Sequence, residues 1–277
     1  MRWIFSKSED ASLTSNSFLK DKSRYVVVLT ACIDPSQGSA KTVKVFRSDP
    51  LTRLADYEKS LLFWLKIKDC RLQKIVFVEN SGYSLDSLKE LVLNSNALAK
   101  QVEFISLCCN NIPLGLHYGY AELDMLDRAY QTSELIKSSE YFIKATGRLT
   151  FPNLPSLLNH LPLKYLFAVD CRNSAFLRRS THAFTTTQLM IFSTEFYGEK
   201  LYGAKADLTM KVPKIEELLY YKLIIFKSQE GAILRWPISV DPVGQAAHWR
   251  KNYRSPRQIA INTIRSICRI LFPNWWV

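Results

Sequence analysis

The run Tyr25-Val26-Val27-Val28-Leu29-Thr30 sets five consecutive apolar residues before a hydroxyl and carries no charge. A β-branched run of this kind fits a strand covered on both faces, the situation of a strand inside a parallel sheet. Ala31 to Asp49 is then rich in Ser, Lys and Asp, and Pro50 introduces LTRLADYEKSLLFWLKI, whose apolar residues recur at helical spacing. A second strand, predicted over 74–78 (KIVFV), ends in the polar turn Glu79-Asn80-Ser81-Gly82. Strand, helix and strand together make a crossover unit.

The alternation repeats with helices predicted over 85–99 and 122–137 and strands over 102–107 and 141–145. It predicts an α/β fold, an open and mostly parallel sheet with helices on both faces, whose ligands bind outside the carboxyl ends of the strands. After Arg148 the connections become proline-rich (Pro152, Pro155, Pro162), followed by a strand over 165–169, a Thr-rich stretch at 185–187 and a helix over 213–226. No long polar linker separates the halves, so they form one domain. The first 24 residues show no period and read as an arm.

A chain of 277 residues with 47% hydrophobic content can bury a large core, and 37 Lys and Arg against 25 Asp and Glu leave a net charge of +12. Such a field suits a nucleotide diphosphate, an anionic membrane surface or a nucleic acid. The six cysteines lack CxxC spacing and sit mostly in apolar runs, as reduced core residues do. No His, Cys or carboxylate spacing amounts to a metal motif. The polar amino terminus has no signal-peptide core and no apolar run approaches the ~20 residues of a spanning helix, so a cytoplasmic protein is expected.

Thr30-Ala31-Cys32 and Glu79-Asn80-Ser81 follow core strands and can contact a nucleoside base and ribose, with Gly82 turning the backbone; a capped strand-to-helix turn is the competing reading. In Glu140-Tyr-Phe-Ile-Lys144-Ala-Thr146-Gly147-Arg148 an apolar strand delivers cations and a glycine to its carboxyl end, where Lys144 and Arg148 can neutralise a diphosphate that the Gly147 backbone approaches. Asp170 and Arg172 lie two residues apart on one side of an extended chain, as catalytic carboxylate and phosphate ligand or as a plain ion pair. Glu195, flanked by aromatics, is the other candidate base. Glu216 and Glu217, beside an apolar helical stripe, read as a solvated face. His117 and Glu122 can contact donor or sugar, although a lone His in an aromatic loop also serves structure; His248 is the other His near a plausible site.

The strand order, the turn VENSG, the segment Gly115-Leu-His-Tyr-Gly-Tyr-Ala-Glu122 and above all YFIKATGRLTFPN resemble bacterial polysaccharide and lipopolysaccharide glycosyltransferases of the GT-A type. The resemblance, over Tyr25 to about Tyr221, implies a nucleotide-diphosphate sugar donor, hexosyl transfer, a glycan acceptor carried on a lipid and a cytoplasmic reaction. It divides the chain into an arm (1–24), a transferase domain (25–250, donor half about 25–150 and acceptor half about 151–250) and a terminal segment (251–277). Many such enzymes carry Asp-x-Asp for a metal where this chain has Ala145-Thr146-Gly147-Arg148. The expectation is therefore no metal cofactor, with Lys144 or Arg148 replacing the charge of Mn²⁺ or Mg²⁺.

From Ser255-Pro256 the sequence RQIAINTIRSICRILFPNWWV gathers Ile259, Ile264, Ile267, Ile270 and Leu271 near one helical face, with Arg257, Arg265 and Arg269 on the others. With Arg250, Lys251, Arg254, Phe272, Trp275 and Trp276 it reads as an interfacial anchor on an anionic membrane, or as a helix docked on the chain's own core. Two further functions compete with the transferase: a nucleic-acid-binding protein, disfavoured because no dense basic stripe precedes the terminus, and a catalytically silent scaffold of the same fold.

Overall fold

A computed structural model describes residues 2–5 (as backbone), 24–38, 45–173, 183–246, 253–272 and 276. His248, Arg250, Lys251, Trp275 and most of the expected arm lie outside the described residues. The main sheet is built from β1 (Arg2–Phe5), β2 (Tyr25–Ala31), β3 (Lys74–Glu79), β4 (Gln101–Ser106), β5 (Tyr141–Thr146), β6 (Phe167–Ala168), β9 (Leu189–Ser193) and β10 (Ala232–Ile233), while β7 (Cys171–Arg172) and β8 (Phe184–Thr185) pair separately. Its order is β1-β4-β3-β2-β5-β9-β6-β10. The four central strands, β4 to β5, run parallel, as the alternation predicts.

Around the sheet lie α1 (Pro50–Lys66), α2 (Asp86–Ser95), α3 (Gly119–Thr132), α4 (Glu134–Lys137), α5 (Leu154–Asn159), α6 (Thr194–Phe196), α7 (Ile215–Ile224) and α8 (Pro256–Leu271). Asp49 caps α1 by accepting the Thr52 amide at 2.7 Å, with Pro50 in the first turn. The helix expected over 122–137 is two, because Ser133 takes an extended conformation and caps the second by accepting the Ile136 amide. Val27, Leu29, Ile75 and Ile143 face α1 and α2, whereas Val26, Val28, Val76 and Phe142 face α3 and α7. Both faces of the central strands are thus buried, which is why Tyr25–Ala31 reads as a continuous apolar run.

The chain steps outward from β2 to β3 and β4, then returns past β2 to form β5 on its other side. Loops after β2 and β5 therefore leave in opposite directions and open a crevice at the carboxyl edge of the sheet. Two departures matter for function. Arg2–Phe5, within the expected arm, forms an edge strand antiparallel to β4. β9 runs antiparallel to β5, with Leu189 beside Ala145 and Ser193 beside Tyr141.

The expected amphipathic terminal helix is α8, capped by Ser255 with Pro256 in its first turn. Its polar stripe faces the protein: Gln258 and Cys268 are buried, Arg269 donates to the Trp236 carbonyl at 2.7 Å, and the same guanidinium reaches Asp170 Oδ1 at 2.5 Å. Its apolar face looks outward, with Ile270 81% and Leu271 63% exposed.

A buried carboxylate ties two of the crevice loops together. Glu79 Oε1 accepts the amides of Ile33 and Ser81, both at 2.9 Å, and the Ser81 hydroxyl, while Oε2 accepts the Tyr83 amide at 3.2 Å. Removing it strands several buried donors at once. Glu79→Ala should lower the unfolding free energy by about 3 kcal/mol, as read from the urea midpoint; an unchanged midpoint would deny it this tethering role.

Candidate active site

A cleft of about 390 Å³ occupies the crevice. One wall is the ends of β2 and β3, with Thr30, Ala31, Cys32 and Asn80; another is the end of β5, with Thr146 and Arg148; the floor comes from the amino ends of α3 and α7 through Tyr118, Glu122 and Glu216. Seven residues singled out in the sequence thus converge: Thr30, Ala31, Cys32, Asn80, Glu122, Thr146 and Arg148.

Asn80 is held by its backbone, its amide donating to the Ala31 carbonyl at 3.1 Å, while its side-chain oxygen is buried without a hydrogen-bond partner among the described residues. Arg148 donates to the Gln245 carbonyl at 2.8 Å. Arg53 reaches the Cys32 carbonyl at 2.7 Å, the Arg47 carbonyl at 3.1 Å and the Tyr57 hydroxyl at 3.4 Å. Neither guanidinium has a carboxylate partner among the described residues, so both leave positive charge on the cleft wall. Burial pushes the Cys32 thiol up to about 11, which keeps it protonated and unreactive at neutral pH.

Lys144 is placed differently from the expectation. Strand pleating directs it, with Phe142, toward α3, two residues short of the strand end, so it is fully buried beneath the cleft. Its ammonium pairs with Glu122 and donates to the Thr187 carbonyl and to Thr146 Oγ1. Glu216, read from the sequence as part of a solvated face, instead lines the cleft floor beside Glu122, within reach of the Lys144 charge. Its Oε1 accepts the Tyr118 hydroxyl at 3.5 Å and its Oε2 is buried without a partner among the described residues. Burial raises the Glu216 carboxyl above its ordinary value, the neighbouring Glu122 charge raises it further, and Lys144 pulls the other way.

The remaining candidates do not line the cleft. Glu79 and Ser81 are spent on the loop tether, and Gly147 packs against its own chain, where a Cβ would lie 2.8 Å from the Thr30 carbonyl oxygen. His117 packs beside Tyr118, the rings tilted with centroids 3.9 Å apart, and burial with the nearby Lys214 lowers its pKa. Glu195 is exposed and sits after Ser193, at the opposite edge of the sheet, because β9 is antiparallel. Asp170 is fully buried and takes up Arg172 at 3.3 Å and Arg269 at 2.5 Å; burial alone would raise it, but these two cations hold it below the usual carboxylate range. Asp170 and Arg172 line a neighbouring cavity instead.

Sequence reasoning missed Arg53 and Tyr57. Both lie on the buried stripe of α1 with Leu61 and Trp64, and a cation on an apolar face was the available signal. No group of three or more His, Cys, Asp and Glu side chains among the described residues is arranged to hold a metal ion. Glu122 and Glu216, the carboxylates of the cleft floor, are engaged with Lys144 and Tyr118.

No family model matches the chain, and no curated protein sequence does. Among solved structures it is similar to the glycosyltransferase GlyE of Streptococcus pneumoniae TIGR4 (9% identity, TM-score 0.44), covering 76% of this chain and 44% of that one. It is also similar to an active-site mutant of LgtC (10% identity, TM-score 0.45), over 76% of this chain and 71% of that one. A third likeness is to the inositol-1-phosphate CTP transferase from T. maritima (16% identity, TM-score 0.39), over 77% and 84% of the two chains. The chain thus spans less than half of GlyE. At these scores the likenesses carry no argument about chemistry, and the fold rests on the strand register itself.

The Glu216 environment has a measurable consequence. A raised carboxyl pKa means that the folded state binds the proton more tightly than the unfolded chain, so stability falls as pH rises from the ordinary value of 4.5 through the folded value. Glu216→Gln should therefore melt higher than the parent at neutral pH, with the difference closing near pH ~4. Equal melting temperatures at neutral pH would show that the carboxyl is not destabilised there.

Proposed function

We propose that the chain is a glycosyltransferase that moves a sugar, a hexosyl group in our reading, from a nucleotide-diphosphate sugar to a glycan acceptor in bacterial surface-polysaccharide synthesis. The observation that carries this reading is the cleft at the switch between β2 and β5, where Arg53 and Arg148 have no carboxylate partner among the described residues and Asn80 and Glu216 each hold a buried oxygen with no hydrogen-bond partner among them. The likeness of YFIKATGRLTFPN to the GT-A transferases accords with it.

In transfer, the bond between the anomeric carbon and the diphosphate oxygen breaks and the acceptor oxygen forms the new bond. The nucleoside diphosphate leaves with the bonding electrons, its added charge met by Arg148 and Arg53. The acceptor hydroxyl proton passes to Glu216, whose desolvated carboxylate is a stronger base than one in water. Lys144, fully buried, orients this floor from beneath through its pair with Glu122, which itself lines the cleft. The cations replace the metal of the Asp-x-Asp enzymes, so transfer should survive EDTA; its abolition would overturn that substitution.

Across a panel of nucleotide sugars, Arg148→Gln should weaken donor binding at least about tenfold by calorimetry. Glu216→Gln should keep the donor affinity while transfer falls at least about 100-fold. If the parent protein neither binds nor hydrolyses any nucleotide sugar, the reading fails.

The outward apolar face of α8 is the place where the enzyme meets the inner surface of a membrane. No helix among the described residues is long and apolar enough to cross a bilayer, but Ile259, Ile267, Ile270 and Leu271 form an exposed stripe flanked by exposed Arg254 and Arg257. The protein should float with vesicles containing anionic lipid at low salt, and Ile270→Glu with Leu271→Glu should release it. Equal partition of parent and variant would remove the membrane from this account.

A further inference from the structure

Beside the cleft, at the carboxyl end of β6, lies a second cavity of about 280 Å³. Gln188 and Tyr253 wall both spaces, so the two adjoin. The second is lined by three guanidinium groups, Arg172, Arg265 and Arg269, against two carboxylates, Asp170 and Asp241. Three guanidinium groups against two carboxylates leave a surplus of positive charge in the lining. Asp170 is shared between Arg172 and Arg269, and Asp241 accepts the Ser239 hydroxyl at 3.2 Å.

Arg265 is the group left over. Its hydrogen bond is to Asn262 Oδ1 at 3.5 Å, one turn back on α8, and its Nε is buried with no acceptor among the described residues. Arg269 Nε is likewise buried without one, on a side chain only 8% exposed. Burial, with Arg172 adding repulsion, pulls the Arg265 guanidinium down to about 10 against the opposing charges of Asp170 and Asp241. A buried charge in excess of its counter-ions is costly, and an oxyanion in the cavity would offset the surplus positive charge. The volume falls just below the ~300–1,000 Å³ of whole small-molecule sites, which suits one phosphoryl group with part of what carries it.

We propose that this cavity is a phosphate-monoester subsite, closed by α8, which binds a phosphoryl group beside the donor cleft. Arg265 and Arg269 donate to its oxygens, and Gln188 and Tyr253 lie at the opening through which the ester substituent reaches the cleft. The anion subsite stands on the cavity's own charge; its assignment to the acceptor of the transfer rests on the transferase reading above. Helix α8 then has two working faces, arginines on the phosphoryl group and isoleucines on the outside.

The test uses the full chain, with inorganic phosphate and glucose 6-phosphate as probes and chloride holding ionic strength constant. Hydrogen exchange along 256–271 reports the cavity, and calorimetric binding of nucleotide sugars reports the cleft separately. Phosphate should slow exchange in α8 saturably. Arg265→Gln should weaken that effect at least about tenfold, Arg265→Lys should weaken it less, and Arg148→Gln should leave it in place. Stronger protection by glucose 6-phosphate than by inorganic phosphate assigns the subsite to a phosphorylated acceptor, whereas equal protection assigns it to free phosphate. No protection beyond chloride, or the same protection in folded Arg265→Gln, overturns the proposal. Phosphate protection without nucleotide-sugar binding would leave the subsite standing and remove the transferase reading.

Discussion

One enclosed cation organises the centre of this fold. Lys144 stands in the middle of β5 with no solvent access, and a charge so placed is tolerated only when it is paired and hydrogen-bonded. Its partners come from three other parts of the chain: Glu122 from the first turn of α3, the Thr187 carbonyl from the approach to β9, and the facing charge of Glu216 from the first turn of α7. Satisfying one ammonium therefore positions both helices and the reversed strand against the parallel core. The floor of the cleft is the upper side of that same arrangement, so Glu122, which pairs with Lys144, also lines the cleft, with Glu216 beside it.

The walls follow the opposite rule. Arg53 and Arg148 in the cleft, and Arg265 in the adjoining cavity, make no ion pair with a carboxylate among the described residues. Positive charge that is half-buried and left unpaired is unfavourable in the free protein, and this cost is recovered when an anion binds. The net charge of +12 thus has a spatial meaning. Part of it is concentrated at two neighbouring concavities on the carboxyl edge of the sheet, and part flanks the apolar face of α8.

The parallel strands β2 to β5 were legible because burial on both faces writes itself as an unbroken apolar run, and the crevice was legible because a parallel sheet with a reversal of strand order opens there. Side-chain direction was less so. Lys144 and Arg148 lie four residues apart, a spacing that would put both on one face of a continuing strand, but β5 ends at Thr146, so Lys144 stays buried beneath the cleft while Arg148 turns into it. Glu195 stands at the wrong edge because strand polarity has no local signature, and β9 is antiparallel. Asp170 and Arg172 do form the ion pair that their spacing allows, but Arg269, nearly a hundred positions later, joins them through a contact that no local pattern encodes. For α8, periodicity separated the two faces correctly and was silent on which one turns inward. Arg53 and Glu216 carried a usable signal, a charge beside a buried helical stripe, which reads equally well as a solvated edge.

The most direct measurement is hydrogen exchange of the full chain with and without saturating nucleotide sugar. If the crevice between β2 and β5 holds the donor, protection should concentrate at residues 30–32, 80–82 and 146–148 and at the amino ends of α3 and α7, while the far edge around Glu195 stays unchanged. Protection confined to other segments, or none with any donor that is hydrolysed, would contradict the placement of the active site in this cleft.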